Sequence, residues 1–265
     1  MMLATWTAAL LLAAGTDRPP APPPQAPSAA AAPATLAAPP APERDPRALA
    51  LVQKMSDRLS KAKTFTVKAR VSLELPVGGG ALATFVNDAT AALQRPDKLA
   101  AARSGDLPEI RFAYDGKAMT VFAPGSGQWG TTAAPPTIDA MLVAAGEQGG
   151  LSFPFDEALV ADPFGVITRG LTQASLVGQS TVHGKKTDHV VLASPTIELQ
   201  LWLDAATGLP ARVVAVYADH PLRPHFSVDY SEWKLDQKLP ASTFALPRPK
   251  GATQVEFRAA AAAFR

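Results

Sequence analysis

The sequence predicts a mainly β domain of the α+β kind: one antiparallel sheet with helices gathered on one face. Three observations predict it. Residues 64–75 alternate apolar and polar side chains without a break. Strand-length segments recur on both sides of a single helical interlude over 137–170. Every connection between strands is short, so neighbours in sequence pair antiparallel rather than crossing over.

The N-terminal part is not expected to belong to that domain. Residues 3–15 form an apolar run too short to span about 30 Å of hydrocarbon as a helix. It has the length of a signal-peptide core, with Ala13, Ala14 and Gly15 as small residues before Asp17 and Arg18. Residues 1–15 therefore read as a signal peptide for export to the periplasm, although no Lys or Arg precedes the apolar run. Eleven of the 26 prolines fall between Pro19 and Pro46, in a stretch otherwise rich in Ala. Such a segment buries too little apolar surface to offset its conformational entropy, so 16–44 reads as a disordered linker. The folded domain is expected over 45–257, with 258–265 as a short Ala-rich tail.

Asp45-Pro46 is an N-cap followed by proline at the first helical position. Ala48, Val52, Met55 and Leu59 then recur at helical spacing, with charged and amide side chains on the other face. From residue 64 the period changes to two. Phe65, Val67, Ala69, Val71, Leu73 and Leu75 share the dry face of a long strand. Gly78–Gly80 makes the turn, 82–93 is the hairpin partner, and Pro96-Asp97 ends it. Strands follow at 99–103, 110–114 and 118–123, with Asp115-Gly116 as a type I′ turn candidate. Trp129 ends this half. Thr137 caps a helix carrying Ile138, Met141, Leu142 and Ala145, which Gly149-Gly150 stops, and shorter turns follow to Gly170. The second half supplies strands at 172–183, 187–193, 197–203, 211–217 and 226–234. In the third of these, Ile197, Leu199, Leu201 and Leu203 share one face. A last edge strand is expected at 253–257.

Four local patterns carry a family resemblance: Pro96-Asp97-Lys98-Leu99; Tyr114-Asp115-Gly116-Lys117; Leu201-Trp202-Leu203-Asp204 with Gly208-Leu209-Pro210; and Phe226 to Trp233 leading to Leu239-Pro240 and Phe244 to Pro247. Their order and spacing over 46–257 resemble an uncharacterised family of predicted periplasmic proteins, grouped with the LolA/LolB-like lipoprotein-carrier superfamily. The resemblance implies a curled, unclosed antiparallel β-barrel whose concave face is covered by helices. It also implies an apolar cavity for lipid acyl chains, hence a carrier or chaperone with a lipid or an acylated protein as partner. The residues themselves add one hint of incomplete filling: Ala69, Val71, Ala89 and Ala91 are small where a dense core would use Leu or Ile. The lining is expected from Phe65, Val67, Val71, Phe85, Phe112, Met141, Leu142, Phe164, Leu199 and Leu201. A filled interior would instead leave a scaffold that binds an envelope protein partner.

Other chemistry finds little support. The formal charge is +2, from 25 basic and 23 acidic residues with no basic stripe, so no nucleic-acid footprint is present. The absence of cysteine removes disulfides, thiolate metal sites, a cysteine nucleophile and a lipidation site. His220 and His225 share a Pro-interrupted loop without a third ligand, a poor metal site. Asp188 and His189 are adjacent on a strand and point to opposite faces, so they form no dyad. Gly125-Ser126-Gly127 lies between two strands, not at a strand-to-helix elbow. Trp129, Trp202 and Trp233 sit at strand ends, where amphipathic anchors belong. No catalytic residue, metal or cofactor is expected, and no integral membrane span.

Overall fold

The alternating segment becomes the middle of the sheet in the computed structural model, which describes residues 44–262. Those residues belong to one folded unit. The expected signal peptide, and all of the linker except Arg44, lie outside the described residues. Strand β1 (Thr64–Pro76) pairs along its whole length with β2 (Leu82–Gln94), so that Phe65 faces Leu93, Ala69 faces Ala89 and Leu73 faces Phe85. From there the chain meanders outward through β3 (Lys98–Gly105), β4 (Ile110–Tyr114), β5 (Ala118–Ala123) and β6 (Gln128–Ala133). On its other side β1 pairs with β11 (His225–Leu235). Beyond β11 lie β10 (Pro210–Tyr217), β9 (Ile197–Asp204), β8 (Lys185–Ala193) and β7 (Gln173–Val182), in that order. With β12 (Thr253–Gln254) beside β6, the described residues form one 12-stranded sheet whose ends, β7 and β12, do not pair with each other. The barrel is unclosed, as the resemblance implies.

Helix α1 (Pro46–Lys61) starts as its sequence dictates. The Asp45 carboxylate accepts a hydrogen bond from the Arg47 amide, and Pro46 occupies the first turn. The stripe of Ala48, Val52, Met55 and Leu59 is fully buried against the sheet. Each of the larger three contributes about 1.5–3 kcal/mol relative to exposure. The buried Ser56 hydroxyl accepts from the Phe164 amide and so docks the short helix α3 (Pro163–Ile167) onto α1. Helix α2 (Ile138–Gly149) is capped by Thr137, whose hydroxyl accepts from the Ala140 amide. It ends at Gly150, in the left-handed conformation with φ 66°.

Three elements differ from the sequence expectation. Strand β6 continues the sheet past Trp129, although its Gln-Trp-Gly-Thr-Thr-Ala sequence shows no apolar alternation. The expected edge strand at 253–257 is only two residues long and pairs parallel with β6. Phe257 instead opens a helix, α4 (Phe257–Ala261), with Phe257, Ala260 and Ala261 buried over β5 and β6. The folded part thus runs into the alanine stretch. It can do so because Gly130 lacks a side chain: a Cβ there would lie 2.9 Å from the Phe257 Cα. The Asp115-Gly116 connection is not type I′, which needs positive φ at both central residues. Only Gly116 has it (φ 97°), while the Asp115 carboxylate accepts from the amides of Lys117 and Ala118 to close a three-residue loop.

Candidate functional site

The helical cover is concentrated at two places. One core joins α1 and α3 to strands β7 to β11. The second joins α2 and α4 to strands β2 to β5, with Phe65 and Val67 of β1. Between them, over β1, β2, β3 and β11, lies a cavity of about 730 Å³. That is within the usual range for small-molecule sites, roughly 300–1,000 Å³. Its floor alternates large and small side chains: Phe65, Val67, Ala69 and Val71 from β1 meet Ala89 and Ala91 from β2. The register places Ala69 directly between Ala89 and Tyr230, and Ala91 opposite both Val67 and Ala101. The roof is the connection 150–159 between α2 and α3, a single stretch of chain whose Phe153 and Phe155 reach inward. At the rim stand Leu75, Tyr217 and His225, all exposed.

Of the ten residues expected to line a cavity, three do: Phe65, Val67 and Val71. The other seven are placed elsewhere, and each displacement has a packing cause. Phe112 is buried against Phe153, edge to face with ring centroids 5.2 Å apart. Met141 belongs to the second core and Leu142 packs against it, where α2 meets α4. Phe164 and Leu201 fill the space under α1. Leu199 borders a separate small cavity of about 130 Å³. Phe85 lies across from Leu73 on the same sheet face but beyond the lining, half-buried. The small residues Ala69, Ala89 and Ala91, read from the sequence as a sign of incomplete filling, all face the cavity.

Polar groups in this lining are few. Trp233 forms part of the floor, and its indole N–H donates to the Pro210 carbonyl at 2.9 Å. Glu74 accepts from the His225 amide at 2.8 Å near the rim. The roof carries two adjacent carboxylates, Asp156 and Glu157, in a single 3₁₀ turn entered through Phe155 at φ 56°. Burial pushes both above the ordinary carboxylate range, and the neighbouring Asp156 charge adds to the effect on Glu157. Among the described residues neither carboxylate is held in an ion pair. Burial, with the Glu157 charge second, also pushes the Tyr217 and Tyr230 hydroxyls above the tyrosine range. Sequence reasoning passed over this group, because acidic residues in a loop ordinarily sit in water. At β3 the Arg103 guanidinium, also part of the lining, donates to the Pro108 carbonyl at 3.2 Å, and burial lowers its pKa.

Among the described residues no hydrogen bond links a Ser, Thr or Tyr hydroxyl of this lining to a His or carboxylate side chain. Among the described residues no three His, Asp or Glu side chains gather as a metal site, and no helix is long and apolar enough to cross a membrane. His189 lies on the opposite face of the sheet from the cavity, stacked on Trp202 with ring centroids 4.1 Å apart.

Fold and site together define a half-barrel: an open sheet curled around an apolar cavity under an incomplete helical cover. The family model described as "Predicted periplasmic protein (DUF2092)" matches residues 48–258, and the chain belongs to that family. Its localisation is the periplasm. Among curated proteins none matches the chain. Similar solved structures include LprF from Mycobacterium bovis, at 14% identity over 80% of this chain and 100% of that one, TM-score 0.44. Another is the lipoprotein LppX from Mycobacterium tuberculosis, at 12% identity over 74% and 99%, TM-score 0.43. A third is a LolA superfamily protein from Nitrosomonas europaea, at 11% identity over 75% and 97%, TM-score 0.30.

Proposed function

We propose that this is a non-enzymatic binding protein of the periplasm that holds an apolar ligand, a lipid acyl chain or an acylated protein, as a carrier or chaperone. The observation that carries the reading is the cavity of about 730 Å³ left open between sheet and helices. Protein interiors are normally close-packed, and voids larger than a water molecule are few. Here the sheet places alanines side by side at its centre, at positions 69, 89, 91 and 101, where larger residues would close the gap. A scaffold with a solid core would have no use for that pattern.

The energetics are sufficient. Ten methylenes moved from water into such a site contribute about 8 kcal/mol before the cost of association, at about 0.8 kcal/mol each. No polar anchor is needed for useful affinity, and the roof over the site is a single stretch of chain. The test is solvent extraction of the purified protein followed by lipid mass spectrometry, with titration of a fluorescent apolar probe on the delipidated protein. Bound amphiphile in the extract, or saturable binding of the probe, is the expected result. A protein that yields no amphiphile and never binds the probe overturns the reading.

A further inference from the structure

The cavity has an acidic corner under its roof. Glu157 borders both the main cavity and the small one of about 130 Å³, in a wall it shares with Phe155, Ile197 and Phe226. Tyr217 and Tyr230 of β10 and β11 also face the main cavity, close enough for their hydroxyls to sense the Glu157 charge. Tyr230 is enclosed by the fold between Phe155 and Trp233, with ring centroids at 6.5 and 5.2 Å. Yet neither tyrosine hydroxyl has a hydrogen-bond partner among the described residues, and no cation pairs with Glu157 or its neighbour Asp156. The two tyrosine hydroxyls, able to donate or accept, and two carboxylates with no ion pair among the described residues thus border one apolar space.

We propose that this corner receives the polar end of the ligand, and that it selects amphiphiles whose head group is a hydrogen-bond donor, a primary amine first and a hydroxyl second, over those ending in an anion. The inference rests on the cavity being the ligand site. A carboxylate pair accepts hydrogen bonds from an ammonium and attracts its charge, and burial strengthens both effects. A carboxylate or phosphate head at the same place meets like charge in a poorly solvated setting and is disfavoured. Arg103, the cation of the lining, projects from β3 and is engaged by the Pro108 carbonyl.

Displacement of bound N-phenyl-1-naphthylamine at neutral pH tests this, with dodecylamine, dodecanol and dodecanoate each kept below its critical micelle concentration. The three share one chain and differ only in head group. Dodecylamine is expected to compete at least about tenfold better than dodecanoate, a difference of ~1.4 kcal/mol, with dodecanol between them. Glu157→Gln should bring the amine and the carboxylate to within about twofold, and Tyr230→Phe should weaken amine and alcohol. Equal or tighter binding of dodecanoate by the unaltered protein overturns the head-group inference and leaves the cavity reading standing. Failure of the naphthylamine probe to bind, with no amphiphile in the extract, overturns both; where the extract does hold amphiphile, anionic head groups in it overturn the head-group inference alone.

Discussion

Ala91→Phe places a ring in the cavity, and its consequences separate an open space from a filled one. Ala91 lies at the centre of the floor, opposite Val67 on one side and Ala101 on the other. A benzyl group there takes the room of about four methylenes of a bound chain. At about 0.8 kcal/mol each, probe affinity should fall by ~3 kcal/mol, roughly two orders of magnitude. The same ring gains apolar contact in the unliganded protein, so the melting temperature should hold or rise. If side chains already filled this space, the added ring would overpack it at about 1–3 kcal/mol, with a fall of about 2–4 °C for each kcal/mol in a domain of this size. The assay is a probe titration alongside a thermal melt. Ala92→Phe, on the opposite face of the same strand, serves as the control and should leave probe affinity unchanged. Wild-type probe affinity in Ala91→Phe, or a loss of several degrees in its melting temperature, would refute the reasoning.

Other substitutions probe the frame and its charges. Leu201→Ala, under α1 and away from the cavity, should cost about 2–5 kcal/mol of stability by denaturant unfolding while probe affinity stays the same. Gly130→Ala should destabilise by about 1–3 kcal/mol, because the new Cβ meets the α4 backbone at 2.9 Å; a melting temperature equal to wild type would show that α4 does not press on β6. For Glu157 the folded pKa is raised above the ordinary 4.5 by burial. Its contribution to stability is therefore full below 4.5 and lost as pH rises through the folded value, so Glu157→Gln should be more stable than wild type at neutral pH, with the two converging in acid. Asp229 should show the opposite sign. Burial works against its ionisation, but hydrogen bonds from Arg212 at 2.6 Å and His183 at 2.9 Å outweigh it and hold its pKa below 3.8. Its contribution is present above 3.8 and lost as pH falls through the lowered value, so Asp229→Asn should lower stability at neutral pH and flatten the acid limb of the stability curve.

Most of the sheet could be read directly from the chain because a strand with one wet and one dry face writes its period into the residues. The α1 stripe was equally legible, and so were the Asp45 and Thr137 caps, since each depends on neighbours within a few positions. Strand β6 and helix α4 were not. Gln128 to Ala133 lacks alternation, and an alanine run has no apolar face distinct from its polar one; both take their structure from packing on each other through Gly130. The cavity divides along the same line. The small side chains of Ala69, Ala89 and Ala91 announced a floor that is not filled from below. Which large side chains would stay clear of it depended on where the helices came to rest: α1 and α3 took up Leu201 and Phe164, while α2 and the 150–159 connection took up Met141, Leu142 and Phe112. Glu157 belongs wholly to that second category, since a carboxylate in a loop acquires its unusual environment only when the chain folds over an apolar floor.

The sequence by itself determined most of the sheet, its dry face and the helices α1 and α2, because periodicity and capping are local properties of the chain. Only the tertiary structure decided that the cover stops short of the centre and leaves a hollow with one acidic corner. Whether facing surfaces meet depends on the volumes that distant segments bring together, and no stretch of residues carries that sum.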